Sequence, residues 1–152
     1  MAALHVGDLA PDFELMNQDL RTVRLADLRG RRVVLLFYPM DFSPACTAEF
    51  CGFGPDLSGL TPGEDTIYFG VSCDTPFAHA AFRERYNLPL DLLADPTRRM
   101  AKAYGMWAGE EPFNCTKRGT IVIDSHGRVA FRQEVGVDDV RTTAHVRQAV
   151  GR

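Results

Sequence analysis

The segment Arg32–Tyr38, RVVLLFY, constrains the fold of this chain more than any other stretch of the sequence. After Arg32 every residue is apolar or aromatic, without the alternation of a strand that has one face in water. Such a run is typical of a central strand covered on both faces, as in sheets with helices on either side. Pro39 ends the strand, because proline has no N–H for the hydrogen-bond ladder.

Predicted strands and helices alternate along the rest of the chain. Strands at Phe13–Leu15 and Val23–Leu25, separated by a polar stretch, predict an opening hairpin. The other predicted elements are helices at Pro44–Leu60, Pro76–Tyr86, Arg98–Tyr104 and Val137–Val150, and strands at Thr66–Ser72, Leu90–Leu93, Thr120–Asp124 and Arg128–Glu134. This order predicts an α/β fold with a central mixed sheet flanked by helices and a short N-terminal β-hairpin.

Size and charge limit the classes of function. A chain of 152 residues, 45% of them hydrophobic, predicts a single domain over residues 1–152. The net charge of −3 argues against a nucleic-acid partner. No apolar run approaches the roughly 20 residues that cross a membrane, and the first residues lack the features of a secretion signal. We therefore predict no membrane association and a cytoplasmic location, where cysteines stay reduced.

Cys46 lies at the predicted start of a helix, directly after the central strand and a proline-bounded loop. A helix N-terminus carries unpaired N–H groups and the positive end of the helix dipole, which favour an ionised thiolate. The position therefore predicts a reactive cysteine. The alternative is a structural cysteine, since free cysteine often packs as a small apolar residue.

Cys51 follows Cys46 by five positions on the same predicted helix. Five residues of α-helix place the two Cα atoms about 8.6 Å apart, whereas a disulfide needs roughly 7 Å or less. The pair can therefore join only if the helix unwinds, as in a redox cycle. Simple apolar packing of Cys51 explains the spacing equally well. A zinc site is disfavoured, because no second Cys or His pair follows at ligand spacing.

The pattern P-x-x-x-S-x-x-C, from Pro39 through Ser43 to Cys46, resembles the active-site pattern P-x-x-x-[TS]-x-x-C of peroxiredoxins. The likeness extends over nearly the whole chain, through VGDLAPDFEL, VVLLFYP, FGVSCDTPFAHAAF, LPLDLLAD, KAYG and KRGTIVID. It is strongest to the Q-type branch, also called bacterioferritin-comigratory-protein-like. Serine at position 43 departs from the commoner threonine but keeps the hydroxyl group.

The resemblance implies a thioredoxin-like fold and a thiol peroxidase that reduces hydrogen peroxide and organic hydroperoxides. By this resemblance Cys46 is the peroxidatic cysteine, Pro39 shields it from water, Ser43 hydrogen-bonds the peroxide and the thiolate, and Arg118 supplies a cation. Arginine suits this role, because its guanidinium group stays charged and offers several donors in a rigid fork.

The implied cycle converts Cys46 to a sulfenic acid. Cys51, as the resolving cysteine, then condenses with this sulfenic acid. Gly52 and Gly54 weaken that half of the helix and ease its unwinding. Thioredoxin or a similar dithiol is the implied reductant. No cofactor or metal is expected, and the chain is predicted to be a monomer or homodimer.

Several alternatives remain open from the sequence. One is a one-cysteine peroxidase recycled by a small thiol, and another is a thioredoxin-fold thiol–disulfide protein, which should carry the C-x-x-C motif that is missing here. A metal carrier would need a set of soft ligands, but the four histidines are scattered. Cys115, in the polar loop GEEPFNCTKR, is the rival resolving cysteine, and Cys73 is predicted to be buried after a strand.

Overall fold

A seven-stranded mixed sheet lies at the centre of the computed structural model, which describes residues 3–53, 57 and 66–151. The strands are β1 (Glu14–Asn17), β2 (Thr22–Arg24), β3 (Arg32–Phe37), β4 (Thr66–Ser72), β5 (Asp91–Ala94), β6 (Arg118–Ile123) and β7 (Val129–Val135). Their order is β2-β1-β5-β4-β3-β6-β7, with β3, β4 and β5 parallel and all other neighbours antiparallel. The mixed sheet and the N-terminal hairpin are as predicted.

Helices pack on the sheet and bury the central strand on both faces. They are α1 (Pro44–Phe53), α2 (Pro76–Tyr86), α3 (Arg99–Ala103) and α4 (Thr143–Val150). Leu36 of β3 packs in one core with Phe50 of α1, whereas Leu35 packs in the opposite core with Tyr104. The prediction of a strand covered on both faces is confirmed. Among the described residues, no helix is long and apolar enough to cross a membrane.

The last helix begins at Thr143, and the prediction that it begins at Val137 is wrong. Thr142 caps the helix, because its hydroxyl oxygen accepts a hydrogen bond from the His145 N–H at 3.2 Å. The residues before this cap follow a non-helical path. That path allows Arg141 to reach the interior, where its side chain is buried.

Part of the first predicted helix lies outside the residues that the structure describes. The prediction covers Pro44–Leu60, and α1 is described from Pro44 to Phe53. Residues 54–56 and 58–65, among them Gly54, lie outside the described residues. The other predicted elements are present with their ends shifted by a few residues. The assignment of residues 1–152 to a single domain stays a prediction.

The ends of β3 and β4 and the start of β6 lie together at one edge of the sheet. Phe37, the last residue of β3, pairs with β4 on one side and with Gly119 of β6 on the other. Neighbouring strands lie about 4.8 Å apart. The loop that follows β3, Cys73 after β4, and the residues just before Arg118 therefore lie side by side.

A buried histidine–aspartate pair fastens the loop after β3 to α2. The Nδ1 atom of His79 lies 2.7 Å from Oδ2 of Asp41, and its Nε2 atom lies 3.1 Å from the carbonyl oxygen of Leu93. The Tyr38 hydroxyl donates to the other oxygen of Asp41 at 2.5 Å. Both ring nitrogens therefore lie at hydrogen-bond distance from oxygen atoms, which fixes the orientation of the imidazole ring. The sequence analysis did not pair this histidine.

Replacing His79 by alanine tests this pair. The change leaves the buried Asp41 carboxylate without its histidine partner, so we expect the free energy of unfolding to fall by about 3–5 kcal/mol. Urea denaturation of the reduced protein measures the loss. His126→Ala, in an exposed turn, is the control and should change the value by about 0.5 kcal/mol or less. Equal effects of the two changes would contradict a stabilising role for the His79–Asp41 pair.

Candidate active site

The candidate active site lies at this sheet edge, where the loop after β3 leads into α1. Ser43 caps the helix: its hydroxyl oxygen accepts from the Cys46 N–H at 3.3 Å, and its carbonyl oxygen accepts from the Thr47 N–H at 2.9 Å. Cys46 thus lies in the first helical turn, with 0% of its surface exposed. Pro39 is also buried. The Ser43 hydroxyl keeps its own proton for donation to a bound oxygen atom.

Arg118, the first residue of β6, brings a buried guanidinium group to Cys46. Its Nη2 atom donates to Cys46 Sγ at 3.1 Å, and its Nη1 atom donates to Glu49 Oε1 at 2.6 Å. Its Nε atom donates to the carbonyl oxygen of Val137 at 2.9 Å. Three of its five N–H groups are therefore held by the protein, so the planar group has a fixed orientation beside the sulfur atom.

Glu49 and Arg141 complete this arrangement, and the sequence analysis did not single out Arg141. The Glu49 carboxylate accepts from the Arg141 Nη2 atom at 2.8 Å and from its Nε atom at 3.0 Å. Arg141 also donates to the carbonyl oxygens of Gly119 at 2.6 Å and Phe37 at 2.8 Å. Glu49 is thus fixed between two guanidinium groups, one of which contacts Cys46.

The charges of this buried cluster do not balance without the cysteine. Arg118 and Arg141 carry two positive charges, and Glu49 carries one negative charge. An ionised Cys46 would neutralise the remaining positive charge. The geometry thus places a surplus positive charge at hydrogen-bond distance from the Cys46 sulfur, and unpaired buried charges are costly.

A cavity of about 780 Å³ opens beside the cluster. Pro39, Ser43 and Arg118 form part of its wall. The other residues that line the cavity, both polar and apolar, are Met40, Pro44, Ala45, Ala108, Glu111, Pro112, Phe113, Cys115, Thr116, Lys117, Val135, Val137 and Asp138. Three of the predicted site residues therefore face one space large enough for a hydroperoxide and part of its organic group.

The other three cysteines have different surroundings. Cys51 is exposed on α1 and does not line the cavity. Cys115 is partly buried and lines it. Cys73 is partly buried, and burial together with the Asp95 carboxylate raises the pKa of its thiol to about 12. The structure thus brings Cys46, Ser43, Pro39 and Arg118 together, and it leaves Cys51 apart from them.

A second cluster offers atoms that a metal ion could bind. Ligand atoms of Asp41, Asp74 and His79 lie within 4.8 Å of one another. These groups already bind each other or the backbone, since Asp74 accepts from the Ser72 hydroxyl and from the Asp41 N–H. A metal ion would have to displace these hydrogen bonds, so the arrangement is better explained as a structural network.

Solved structures with this fold define the class of protein. The crystal structure of peroxidoxin BcpB from Mycobacterium tuberculosis aligns with a TM-score of 0.82 and 30% identity, over 97% of this chain and 95% of that one. The crystal structure of a PrxQ mutant from Xylella fastidiosa aligns with a TM-score of 0.86 at 20% identity, over 99% and 98% of the two chains, and supports the fold. The predicted thioredoxin-like α/β fold is confirmed, and the chain falls among thiol peroxidases.

Sequence relatives identify the family within this class. Residues 6–132 match the AhpC/TSA family. Peroxiredoxin Bcp of Bacillus subtilis is 36% identical over 130 residues, covering 83% of this chain and 82% of that protein. Peroxiredoxin Bcp of Escherichia coli K12 is 34% identical over 151 residues, covering 95% and 92%. The chain belongs to the AhpC/TSA family, in its Q-type, Bcp-like branch, and is a thiol-dependent peroxidase.

Replacing Glu49 by glutamine tests how far the active site depends on the buried carboxylate. The change keeps the shape but leaves two guanidinium groups without their anion, so the free energy of unfolding should fall by about 3–5 kcal/mol. Peroxide reduction should slow roughly 100-fold as Arg118 loses its fixed position. Urea denaturation and stopped-flow kinetics measure the two effects.

Glu134→Gln is the matched control for this change. Glu134 also contacts two cations, Lys117 at 3.2 Å and Arg132 at 2.7 Å, but at the surface. Its replacement should cost about 1 kcal/mol or less. A normal peroxidase rate in Glu49→Gln would contradict the positioning role.

Proposed function

We propose that Cys46 is the peroxidatic cysteine, and that Pro39, Ser43 and Arg118 bind and activate the peroxide beside it. The observation that carries the proposal is the buried Arg118 Nη2 atom, 3.1 Å from the Cys46 sulfur and at the wall of the cavity. A guanidinium group in this position can contact both the sulfur atom and an oxygen atom of a bound peroxide.

The reaction is a displacement at oxygen. The Cys46 thiolate attacks one oxygen atom of the peroxide, the S–O bond forms as the O–O bond breaks, and the second oxygen leaves with the electron pair. A proton then gives water or an alcohol, and Cys46 becomes a sulfenic acid. Arg118 and the Ser43 hydroxyl stabilise the negative charge that grows on the leaving oxygen. Pro39 excludes water from the sulfur.

Ionisation alone cannot account for a peroxidase. A thiol with a pKa of about 8.5 is roughly 3% ionised at pH 7, so complete ionisation raises its rate at most about 30-fold. A larger acceleration requires groups that stabilise the transition state and align the O–O bond with the sulfur atom. Arg118 is the candidate, because its orientation is fixed by Glu49 and by the backbone.

Replacing Arg118 separates these two effects. In Arg118→Ala we expect the rate of peroxide reduction to fall at least 100-fold more than the fraction of ionised Cys46, since transition-state contacts are lost as well. Stopped-flow kinetics measure the rate, and thiolate absorbance measures the ionised fraction. Arg118→Lys keeps the positive charge but loses the planar group with several N–H donors. Its rate should therefore lie between those of Arg118→Ala and the natural protein.

Lys117→Ala is the matched control for Arg118. Lys117 also lines the cavity, but its side chain pairs with Glu134 at 3.2 Å. Its loss should change the rate less than threefold or so, because a partly exposed cation is screened by water. Equal losses of rate and ionisation in Arg118→Ala would overturn the assignment.

We extend the proposal to the reduction of the oxidised enzyme. Cys51 attacks the sulfenic acid of Cys46, water leaves, and a disulfide forms. In an intact helix the Cα atoms of these residues lie about 8.6 Å apart, so α1 must unwind locally. The exposure of Cys51 supports access by a dithiol protein such as thioredoxin.

A small thiol acting directly on Cys46 is the alternative route of reduction. A cytoplasmic location, a monomeric or homodimeric state, and the lack of nucleic-acid and membrane partners all stay predictions.

A count of free thiols tests the cycle. One equivalent of hydrogen peroxide should lower the number from four to two, with Cys46 joined to Cys51 in a peptide map. Thioredoxin with its reductase should restore all four thiols. Retention of four free thiols over minutes would argue against a peroxidatic Cys46, and a stable sulfenic acid beside a free Cys51 would favour the one-cysteine alternative.

A further inference from the structure

We propose that Cys115 is a second resolving thiol, which forms a disulfide with oxidised Cys46 from the cavity wall while α1 stays folded. This inference rests on the proposed role of Cys46 as the peroxidatic cysteine. It assigns a chemical role to a residue that the cycle through Cys51 does not use.

The backbone around Cys115 is held against the active-site loop. The Thr116 hydroxyl donates to the carbonyl oxygen of Tyr38, the residue before Pro39. On the other side, the Arg98 Nε atom donates to the carbonyl oxygen of Asn114 at 3.1 Å. The carbonyl oxygen of Cys115 itself accepts from the Ala108 N–H at 2.9 Å. Cys115 is therefore held at the mouth of the site rather than on a free loop.

Cys115 shares a cavity with the groups that surround Cys46. It lines the same wall as Arg118, whose Nη2 atom contacts the Cys46 sulfur, and as Ser43, which caps the helix before it. Cys51 has no place in this wall. A sulfenic acid formed at Cys46 would therefore have Cys115, and not Cys51, on the side from which peroxide enters.

Cys46 and Cys115 also interact electrostatically. Burial is the main cause that raises the pKa of Cys115. The charge of Cys46 and then the Asp74 carboxylate raise this pKa further, whereas Arg98 lowers it. A negative charge on reduced Cys46 thus adds to the effect of burial, which favours the protonated form of Cys115. Oxidation to a neutral sulfenic acid removes this charge, so Cys115 ionises more readily after the peroxide has reacted.

The proposed step balances without a further reactant. The sulfur of Cys115 attacks the sulfur of the Cys46 sulfenic acid, the S–S bond forms, and the S–O bond breaks. The hydroxyl group leaves as water with the proton of the Cys115 thiol. The peroxide has already supplied the oxidation, and the thiol reductant of the established activity reduces the disulfide.

This route leaves the buried charge cluster intact. Glu49 lies between Cys46 and Cys51 on α1, so the unwinding that joins those two cysteines withdraws Glu49 from Arg118 and Arg141. Joining Cys46 to Cys115 does not involve the turn of α1 that carries Glu49. The two routes therefore differ in how much folded structure they disturb.

The test uses Cys51→Ser, which retains three cysteines. One equivalent of hydrogen peroxide should lower its free thiols from three to one, with Cys46 joined to Cys115 within one chain. Cys51→Ser/Cys115→Ser should instead accumulate a sulfenic acid that reacts with dimedone. Cys51→Ser/Cys73→Ser is the matched control, because Cys73 does not line the cavity, and it should still form the disulfide.

The outcomes separate this inference from the proposed function. If Cys46 oxidises in Cys51→Ser but its sulfenic acid persists, or pairs with Cys73 or with another chain, the role of Cys115 is overturned and the peroxidatic role of Cys46 stands. If Cys46 does not oxidise at all, the proposed function fails, and this inference fails with it.

A second measurement tests the electrical link without a disulfide. In Cys46→Ser the negative charge is absent, so the pKa of Cys115 is lowered and iodoacetamide should alkylate Cys115 several-fold faster at pH 7 than in the reduced natural protein. Mass spectrometry of the Cys115 peptide measures the rate. An unchanged rate would overturn the link.

Discussion

The Glu49 carboxylate, buried between the guanidinium groups of Arg118 and Arg141, is the interaction on which the site depends. It joins α1, the start of β6 and the segment before α4 in one place. Each guanidinium also holds backbone carbonyl oxygens, so the cluster fixes main chain as well as side chains. An ionised Cys46, as proposed above, would complete its charge balance and couple the reactivity of the cysteine to the fold.

The parts of the molecule set by local sequence could be predicted. The uninterrupted apolar run of β3 has no stable place except in a central strand covered on both faces. Pro39, Ser43 and Cys46 follow within a short stretch of chain, so their spacing alone puts a thiol at a helix start. Their roles in the reaction, and that of Arg118, came from the family resemblance, and the geometry brings all four together.

The parts that depend on contacts distant in sequence could not be predicted. Arg141 lies in a stretch whose composition fits a helix from Val137, but it contacts Glu49, 92 residues earlier in the chain, and the helix begins later, after the Thr142 cap. His79 and Asp41 are 38 residues apart, with no spacing that marks them as a pair. In each case a buried charge has a partner that only the folded chain supplies.

Oxidation of Cys46 changes the charge of the whole cluster. In the proposed cycle the reduced site holds two cations against a carboxylate and a thiolate, whereas the sulfenic acid is neutral and leaves one positive charge in excess. The loss of the thiolate charge also removes one cause of the raised pKa of Cys115. A single chemical event in the proposed cycle thus consumes the peroxide and makes the Cys115 thiol easier to ionise. The thiolate proposed to attack the peroxide is the same charge that restrains Cys115 until it has reacted.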